Sequence, residues 1–91
     1  MKIRVSFFAT LREKLHADRM TITLADGATV RSALEAICDS LGHRKEIFDK
    51  NELKPFMIVL KNGRHIQHLK GLETELEEDD ELAVFPPVAG G

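Results

Sequence analysis

The chain has 91 residues, a formal net charge of −2, and a composition that is 43% hydrophobic and 31% charged, which suits one small folded domain rather than a disordered segment. The scattered basic residues do not indicate nucleic-acid binding, and no apolar run is long enough to cross a membrane. Since no signal peptide is recognised either, we expect a cytoplasmic protein. The single cysteine excludes an internal disulfide and a cysteine-only metal or iron–sulfur site, and we expect no bound cofactor.

The N-terminal residues alternate between apolar and polar, with Ile3, Val5 and Phe7 on one face. This period of two predicts a half-buried strand, and the strand begins without a preceding signal peptide. Phe8 falls on the polar face and breaks the pattern. Residues 10–17 then have local helical character and predict a short turn or helix.

The middle of the chain predicts a second strand and the main helix. Residues 20–24 alternate apolar residues with threonines, and Asp26-Gly27 ends this strand. Thr29 is a good N-cap, and apolar residues recur at helical spacing over residues 30–41, with Gly42 past the end. Cys38 lies on the apolar stripe of this helix, which favours a buried core thiol over a reactive one.

The second half of the chain predicts further strands. Ile47 and Phe48 are predicted to anchor a short helical turn within a polar segment. The apolar run 56–60 predicts a strand, and Asn62-Gly63 after it predicts a type I′ hairpin into a short strand. A polar connection over residues 69–80, pinned by Leu72 and Leu76, leads to a last strand at residues 81–85.

The chain ends with a distinctive segment, Pro86-Pro87-Val88-Ala89-Gly90-Gly91. Prolines stiffen an extended chain, and glycines without a Cβ atom can enter a narrow channel. Six extended residues reach roughly 20 Å. We therefore predict a folded domain at residues 1–85 and a flexible tail at residues 86–91, mobile from about Pro87 onward.

The run Leu-Ala-Val-Phe-Pro-Pro-Val-Ala-Gly-Gly at residues 82–91 resembles the C-terminus of the small subunit of molybdopterin synthase and of the small archaeal modifier proteins. The opening Phe8-Ala9-Thr10-Leu11-Arg12-Glu13 also resembles this superfamily, and so does the Asn62-Gly63-Arg64 hairpin. The resemblance implies an α+β, ubiquitin-like β-grasp fold. Its mixed sheet has four to five strands with one main helix across one face, and the first and last strands are parallel neighbours in the middle.

The resemblance also implies a carrier rather than an enzyme. A ubiquitin-activating-like adenylyltransferase would use ATP to convert Gly91 to an acyl-adenylate and then a thiocarboxylate, and Gly90 would give access to the site. The large subunit of molybdopterin synthase would then take the sulfur for molybdopterin. Alternatively, Gly91 is joined to lysines of target proteins by isopeptide bonds, or the chain is a plain interaction module. Thiamine-type sulfur carriers share the Gly-Gly end but match the Phe-Pro-Pro-Val approach less well.

Phe8 and Phe85 are the predicted partner-binding residues of the domain. Strand alternation places both on the face opposite the helix, and parallel pairing of the first and last strands brings the two rings together beside the tail. Pro86, Pro87 and Val88 are predicted to extend this surface. The alternative is that a loop covers one or both rings.

Other chemistry-bearing residues give weaker signals. His65 and His68 are predicted to point to opposite faces of a strand, and His16 and His43 have no ligand partner at a recognisable spacing, so no metal site is predicted. The acidic stretch 73–81 predicts a solvated connection, with steering of the tail towards a basic partner as a further possibility. No catalytic group is predicted.

Overall fold

The computed structural model describes residues 1–87, so the predictions for Val88, Gly90 and Gly91 lie outside the described residues. The division into a domain and a tail stays a prediction. Seven strands and two α-helices are present in the described part, namely β1 (Lys2–Phe7), α1 (Ala9–Leu15), β2 (Arg19–Thr23), α2 (Val30–Leu41), β3 (Phe48–Asp49), β4 (Glu52–Leu53), β5 (Ile58–Lys61), β6 (Arg64–His65) and β7 (Glu81–Phe85).

 Outside these strands, Thr29 and Glu75 form an isolated antiparallel β-bridge. Within residues 1–87, neither helix is long and apolar enough to span a bilayer.

The main sheet has five strands in the order β2-β1-β7-β5-β6, and β3 and β4 form a separate hairpin. Its centre is the parallel pairing of β1 with β7, in which Phe7 lies opposite Val84. Strand β2 runs antiparallel to β1, and β5 runs antiparallel to β7. The apolar positions of the two central strands are buried on the face that carries α2, namely Ile3, Val5, Phe7, Leu82 and Val84. The predicted β-grasp arrangement is therefore confirmed.

Helix α2 begins and ends where its sequence signals predict. The Thr29 hydroxyl accepts a hydrogen bond from the Ser32 backbone N–H at 3.3 Å, and the Thr29 N–H donates to the Ser32 hydroxyl at 3.1 Å. Gly42 follows the last turn with φ of 78°, a conformation that favours glycine. Cys38 is 7% exposed, and burial raises the pKa of its thiol. The predicted core thiol is confirmed.

Ile47 and Phe48 are buried directly after a 3₁₀ turn at Arg44–Glu46, so their predicted role as anchors of a short helical turn is confirmed. Phe48 also pairs with Leu53 in the β3–β4 hairpin. One local prediction is wrong. Strand β5 begins at Ile58 rather than at residue 56. Residues 54–57 form a turn instead, because a proline at position 55 presets φ for the first central position of a turn.

The acidic connection before β7 holds the 62–63 hairpin in place. Asp80 is 7% exposed, and its carboxylate accepts hydrogen bonds from Asn62 Nδ2 at 2.8 Å and from the Glu77 N–H at 2.7 Å. The Lys61 ammonium lies 3.6 Å from the same carboxylate. Asn62 and Gly63 have φ of 50° and 84°, as the predicted type I′ turn requires. The hairpin is thus tied to the start of β7.

We expect Asp80→Asn to lower the free energy of unfolding by about 1–3 kcal/mol at neutral pH. Burial alone would raise the pKa of Asp80, but the hydrogen bonds from Asn62 and Glu77 and the charge of Lys61 outweigh it, and the pKa is lowered. A lowered folded-state pKa gives stability that is present above the unfolded pKa and is lost as the pH falls through the folded pKa.

The difference between the wild type and Asp80→Asn should therefore shrink below about pH 4. Urea unfolding of both proteins from about pH 7 to about pH 2 measures this difference. A difference that stays constant over the whole range contradicts the prediction.

Candidate partner-binding site

The end of the central strand pair carries two stacked aromatic rings. The ring centroids of Phe8 and Phe85 lie 4.4 Å apart, with an angle of 10° between the ring planes. Phe8 follows β1 in an extended conformation, and its N–H donates to the Val84 carbonyl at 3.2 Å. Strand alternation therefore continues through Phe8, and its side chain lies on the face opposite to Phe7. The predicted juxtaposition of the two rings is confirmed.

The stacked rings are accessible on the face of the sheet that α2 leaves bare. Phe8 is 37% exposed, so no loop among residues 1–87 covers it. Phe85 is half-buried, because it stacks on Phe8 and has Ile58 as its cross-strand neighbour. Leu60 and Ala83 pair next to them and are also half-buried. We call these five residues the aromatic patch.

The tail root, Pro86 and Pro87, lies directly beside the aromatic patch. Both prolines are half-buried. They line a depression together with residues from α1 and from two loops, namely Thr10, Leu11, Lys14, Glu46 and Lys54. Lys14 Nζ lies 3.3 Å from the Glu46 carboxylate. The chain therefore leaves the domain close to two lysines.

The opposite end of the bare face is charged. Arg4 pairs with Glu81 at 3.0 Å, at the start of β7. The acidic stretch 73–81 leads into the first residue of β7, whereas the tail root follows the last residue, so the two lie at opposite ends of this strand. Glu78 accepts hydrogen bonds from the Lys2 N–H at 3.1 and 3.2 Å. The stretch contacts the start of β1 and of β7, so it does not lie beside the tail root, where the steering hypothesis requires it.

The four histidines form two pairs. The prediction of opposite faces for His65 and His68 is wrong, because β6 ends at His65 and a 3₁₀ turn brings the ring centroids to 5.9 Å. His16 and His43 follow the two helices, and their ring centroids lie 6.4 Å apart. Within residues 1–87, no group of three or more histidine, cysteine, aspartate or glutamate side chains is placed to hold a metal ion.

One exposed aromatic residue near the tail root was missed by the sequence pattern. Phe56 is 81% exposed and has φ of 67°. An apolar residue in an apolar run indicates a buried strand position, so the pattern misplaced it. The signal that pointed to a turn was Pro55, which directly precedes it.

Comparison with known proteins agrees with this geometry. The ThiS family sequence model matches residues 5–91. The chain is 43% identical to small archaeal modifier protein 3 of Haloferax volcanii over the full length of both chains. It is 29% identical to the molybdopterin synthase sulfur carrier subunit of Drosophila simulans, over all of this chain and 92% of that one. The crystal structure of SAMP1 from Haloferax volcanii is 30% identical and superimposes over the whole of both chains with a TM-score of 0.86.

These relatives are small carrier and modifier proteins, and their names do not describe enzymes. The match in sequence and the match in fold both extend over nearly the whole chain. The chain therefore belongs to the ThiS family, as a ubiquitin-like β-grasp protein of the sulfur-carrier and modifier type rather than an enzyme.

Proposed function

We propose that this chain is a ubiquitin-like sulfur carrier whose Gly91 carboxylate is adenylated and then converted to a thiocarboxylate. The observation that supports this most directly is the position of the aromatic patch beside the tail root. A partner docked on the patch keeps the domain within roughly 20 Å of a reaction at Gly91, because six extended residues span no more. Exposed aromatic residues are frequent anchors of such interfaces.

Activation of Gly91 needs a nucleotide site, which we assign to a ubiquitin-activating-like adenylyltransferase that uses ATP. A carboxylate oxygen of Gly91 attacks the α-phosphorus of ATP, and pyrophosphate leaves. Hydrosulfide, delivered by a sulfur donor, then attacks the carbonyl carbon and expels AMP, and loss of the S–H proton leaves a thiocarboxylate on Gly91. Because Gly90 and Gly91 lack a Cβ atom, the carbonyl can be reached through a narrow channel.

We further propose that the acceptor of the sulfur is the large subunit of molybdopterin synthase, which uses it for molybdopterin. The similarity to a molybdopterin synthase sulfur carrier subunit over the whole of this chain supports this role. In this function the chain supplies the terminal carboxyl group that carries the sulfur, together with the docking surface, and the partners supply the sulfur and the catalytic groups.

A second candidate function is covalent modification of other proteins. The 43% identity to small archaeal modifier protein 3 favours it. Here the ε-amine of a target lysine attacks the acyl-adenylate and expels AMP, which forms an isopeptide bond to Gly91. The two functions share the adenylation step and the docking surface, and they differ in the nucleophile.

Intact-mass spectrometry of the protein purified from its own cells distinguishes the two functions. For a sulfur carrier, we expect a form heavier by the mass difference between one sulfur and one oxygen atom. For a modifier, we expect larger conjugates whose digestion yields lysines linked to the C-terminal glycine of this chain. If neither product forms while the activating enzyme is present, both proposals are wrong and the plain interaction module is favoured.

A further inference from the structure

Phe56 combines two unfavourable features in one residue. Its side chain is 81% exposed, so most of an apolar ring faces water. Its φ of 67° lies in the left-handed region, where a Cβ atom is unfavourable and where glycine or asparagine is usual. Neither burial nor backbone conformation therefore favours a phenylalanine at this position.

The backbone around Phe56 is a defined turn rather than a loose loop. The Met57 N–H donates to the Lys54 carbonyl at 3.3 Å, which places Pro55 and Phe56 at the two central positions. Met57 is 6% exposed and fixes the end of the turn in the core. The ring is therefore presented to solvent from a position that the fold holds in place.

This turn lies at the end of the sheet from which the tail leaves. Strand β5 runs antiparallel to β7, and Ile58 pairs with Phe85, the last residue of β7. Phe56 precedes Ile58 by two residues, and Lys54 lines the same depression as Pro86 and Pro87. The exposed ring thus lies at the same end of the sheet as the tail root and the aromatic patch.

We propose that Phe56 is an anchor for the enzyme that adenylates Gly91, and that it enters an apolar pocket on that enzyme. This inference rests on the proposed function. A protein that acts on Gly91 must come within reach of the tail root, roughly 20 Å along six extended residues, and Phe56 stands at that end of the domain. Adenylation precedes both sulfur transfer and isopeptide formation, so the adenylating enzyme is the occupant in either case.

The charges around the tail root also predict the charge of the partner's surface. Lys14 and Lys54 lie beside the prolines, and Glu46 is the one acidic residue that lines the same depression among residues 1–87. Charged residues at the edge of an interface are usually matched by opposite charges on the partner. Lys14 is already paired with Glu46 at 3.3 Å, so these three residues leave one net positive charge beside the tail root. The pocket that receives Phe56 is therefore expected to have a carboxylate at its rim.

The variant Phe56→Gly tests the anchor directly, because it removes the ring and also relieves the left-handed backbone conformation. We expect its unfolding midpoint to equal or exceed that of the wild type. In ATP–pyrophosphate exchange with the adenylating enzyme, the carrier chain is the protein substrate. We expect the KM of the enzyme for the Phe56→Gly chain to be about tenfold or more above its KM for the wild type, since a buried aromatic anchor typically contributes at least a tenfold factor to affinity. The kcat should stay unchanged, because Gly91 is intact.

Asp79→Gly is the matched control. Asp79 is exposed, has φ of 68°, and occupies the corresponding position of a turn in which the Asp80 N–H donates to the Glu77 carbonyl at 3.1 Å. This turn lies at the opposite end of β7 from the tail root. The control therefore makes the same backbone change away from the tail, and its KM should equal that of the wild type.

Three results would overturn the anchor while leaving the proposed function intact. The first is an unchanged KM for Phe56→Gly when the wild type is adenylated normally. The second is an unfolding midpoint for Phe56→Gly as low as that of the core variant Ile37→Ala, which would make the ring a structural element. The third is a wild type that sediments as a dimer and a Phe56→Gly monomer with unchanged KM, which would make a second copy the occupant. A wild type that is not adenylated overturns the proposed function and this inference with it.

Discussion

Deleting Gly91, or adding one residue after it, is expected to abolish ATP-dependent adenylation while the protein unfolds as the wild type does. The reacting carboxylate belongs to Gly91 in both proposed functions, and either change moves or blocks it. The core residues that stabilise the domain, such as Ile3, Leu34 and Val84, belong to β1, α2 and β7 and are unaffected. ATP–pyrophosphate exchange with the activating enzyme measures the first effect, and thermal unfolding measures the second.

The matched control for this experiment is Ala89→Gly, which keeps the chain length and the position of the final carboxylate. We expect this variant to be adenylated nearly as well as the wild type. Full activation of the chain that is extended by one residue would count against the sulfur-carrier and modifier functions together. It would leave the plain interaction module as the remaining interpretation.

Truncation of the aromatic patch is expected to give the second-largest effect. Phe85→Ala should weaken binding to the activating enzyme or to the sulfur acceptor by roughly thirtyfold or more, because an aromatic residue at the centre of an interface typically contributes ~2 kcal/mol or more. The physical reason is that Phe85 stacks on Phe8 at 4.4 Å, so its removal also leaves Phe8 without its support. Titration calorimetry with the purified partner measures the affinity.

The stability of the same variant separates an interface residue from a core residue. Loss of the stacked pair should lower the free energy of unfolding by about 0.5–1.5 kcal/mol. The core control Ile37→Ala removes a side chain that is 0% exposed, and should cost ~2–5 kcal/mol. If Phe85→Ala unfolded as easily as Ile37→Ala and bound its partners normally, Phe85 would be a core residue and its predicted role would be wrong.

A double-mutant cycle with Phe8→Ala extends this test. If the two rings act as one docking element, the binding losses of Phe8→Ala and Phe85→Ala will not add in the double variant. Additive losses would mean that each ring contacts the partner separately. The cycle requires that both single variants remain folded. We expect this because Phe8 is exposed and Phe85 is only half-buried.

Much of this fold follows from local patterns in the sequence. The alternation of Ile3, Val5 and Phe7 specifies which face of β1 is buried, because side chains in a strand point to opposite faces in turn. Thr29 and Ser32 specify the start of α2 through hydrogen bonds within one helical turn. Asn62-Gly63 specifies a hairpin through its tolerance of positive φ. These features depend on neighbours in the sequence, so the sequence predicts them.

The prediction that Phe8 and Phe85 meet needed more than local pattern. Their outward orientation follows from alternation within each strand, but their proximity depends on the parallel pairing of β1 with β7. That pairing was implied by the resemblance to the β-grasp proteins, and the register confirms it, with Phe7 opposite Val84. The contact between the two rings was thus predictable because the resemblance to a family implied the long-range pairing of β1 with β7, and the role of the rings in binding stays a prediction.

The sequence by itself determined the strand faces, the main helix and the hairpin. Only the tertiary structure decided which residues lie near the tail root. The exposure of Phe56, the pairing of His16 with His43, and the separation of the acidic stretch from the tail root all depend on the path of the chain. The reason is physical: hydrogen bonds and φ preferences within a few residues encode local structure. The distance between residues far apart in sequence is instead set by the packing of the whole core.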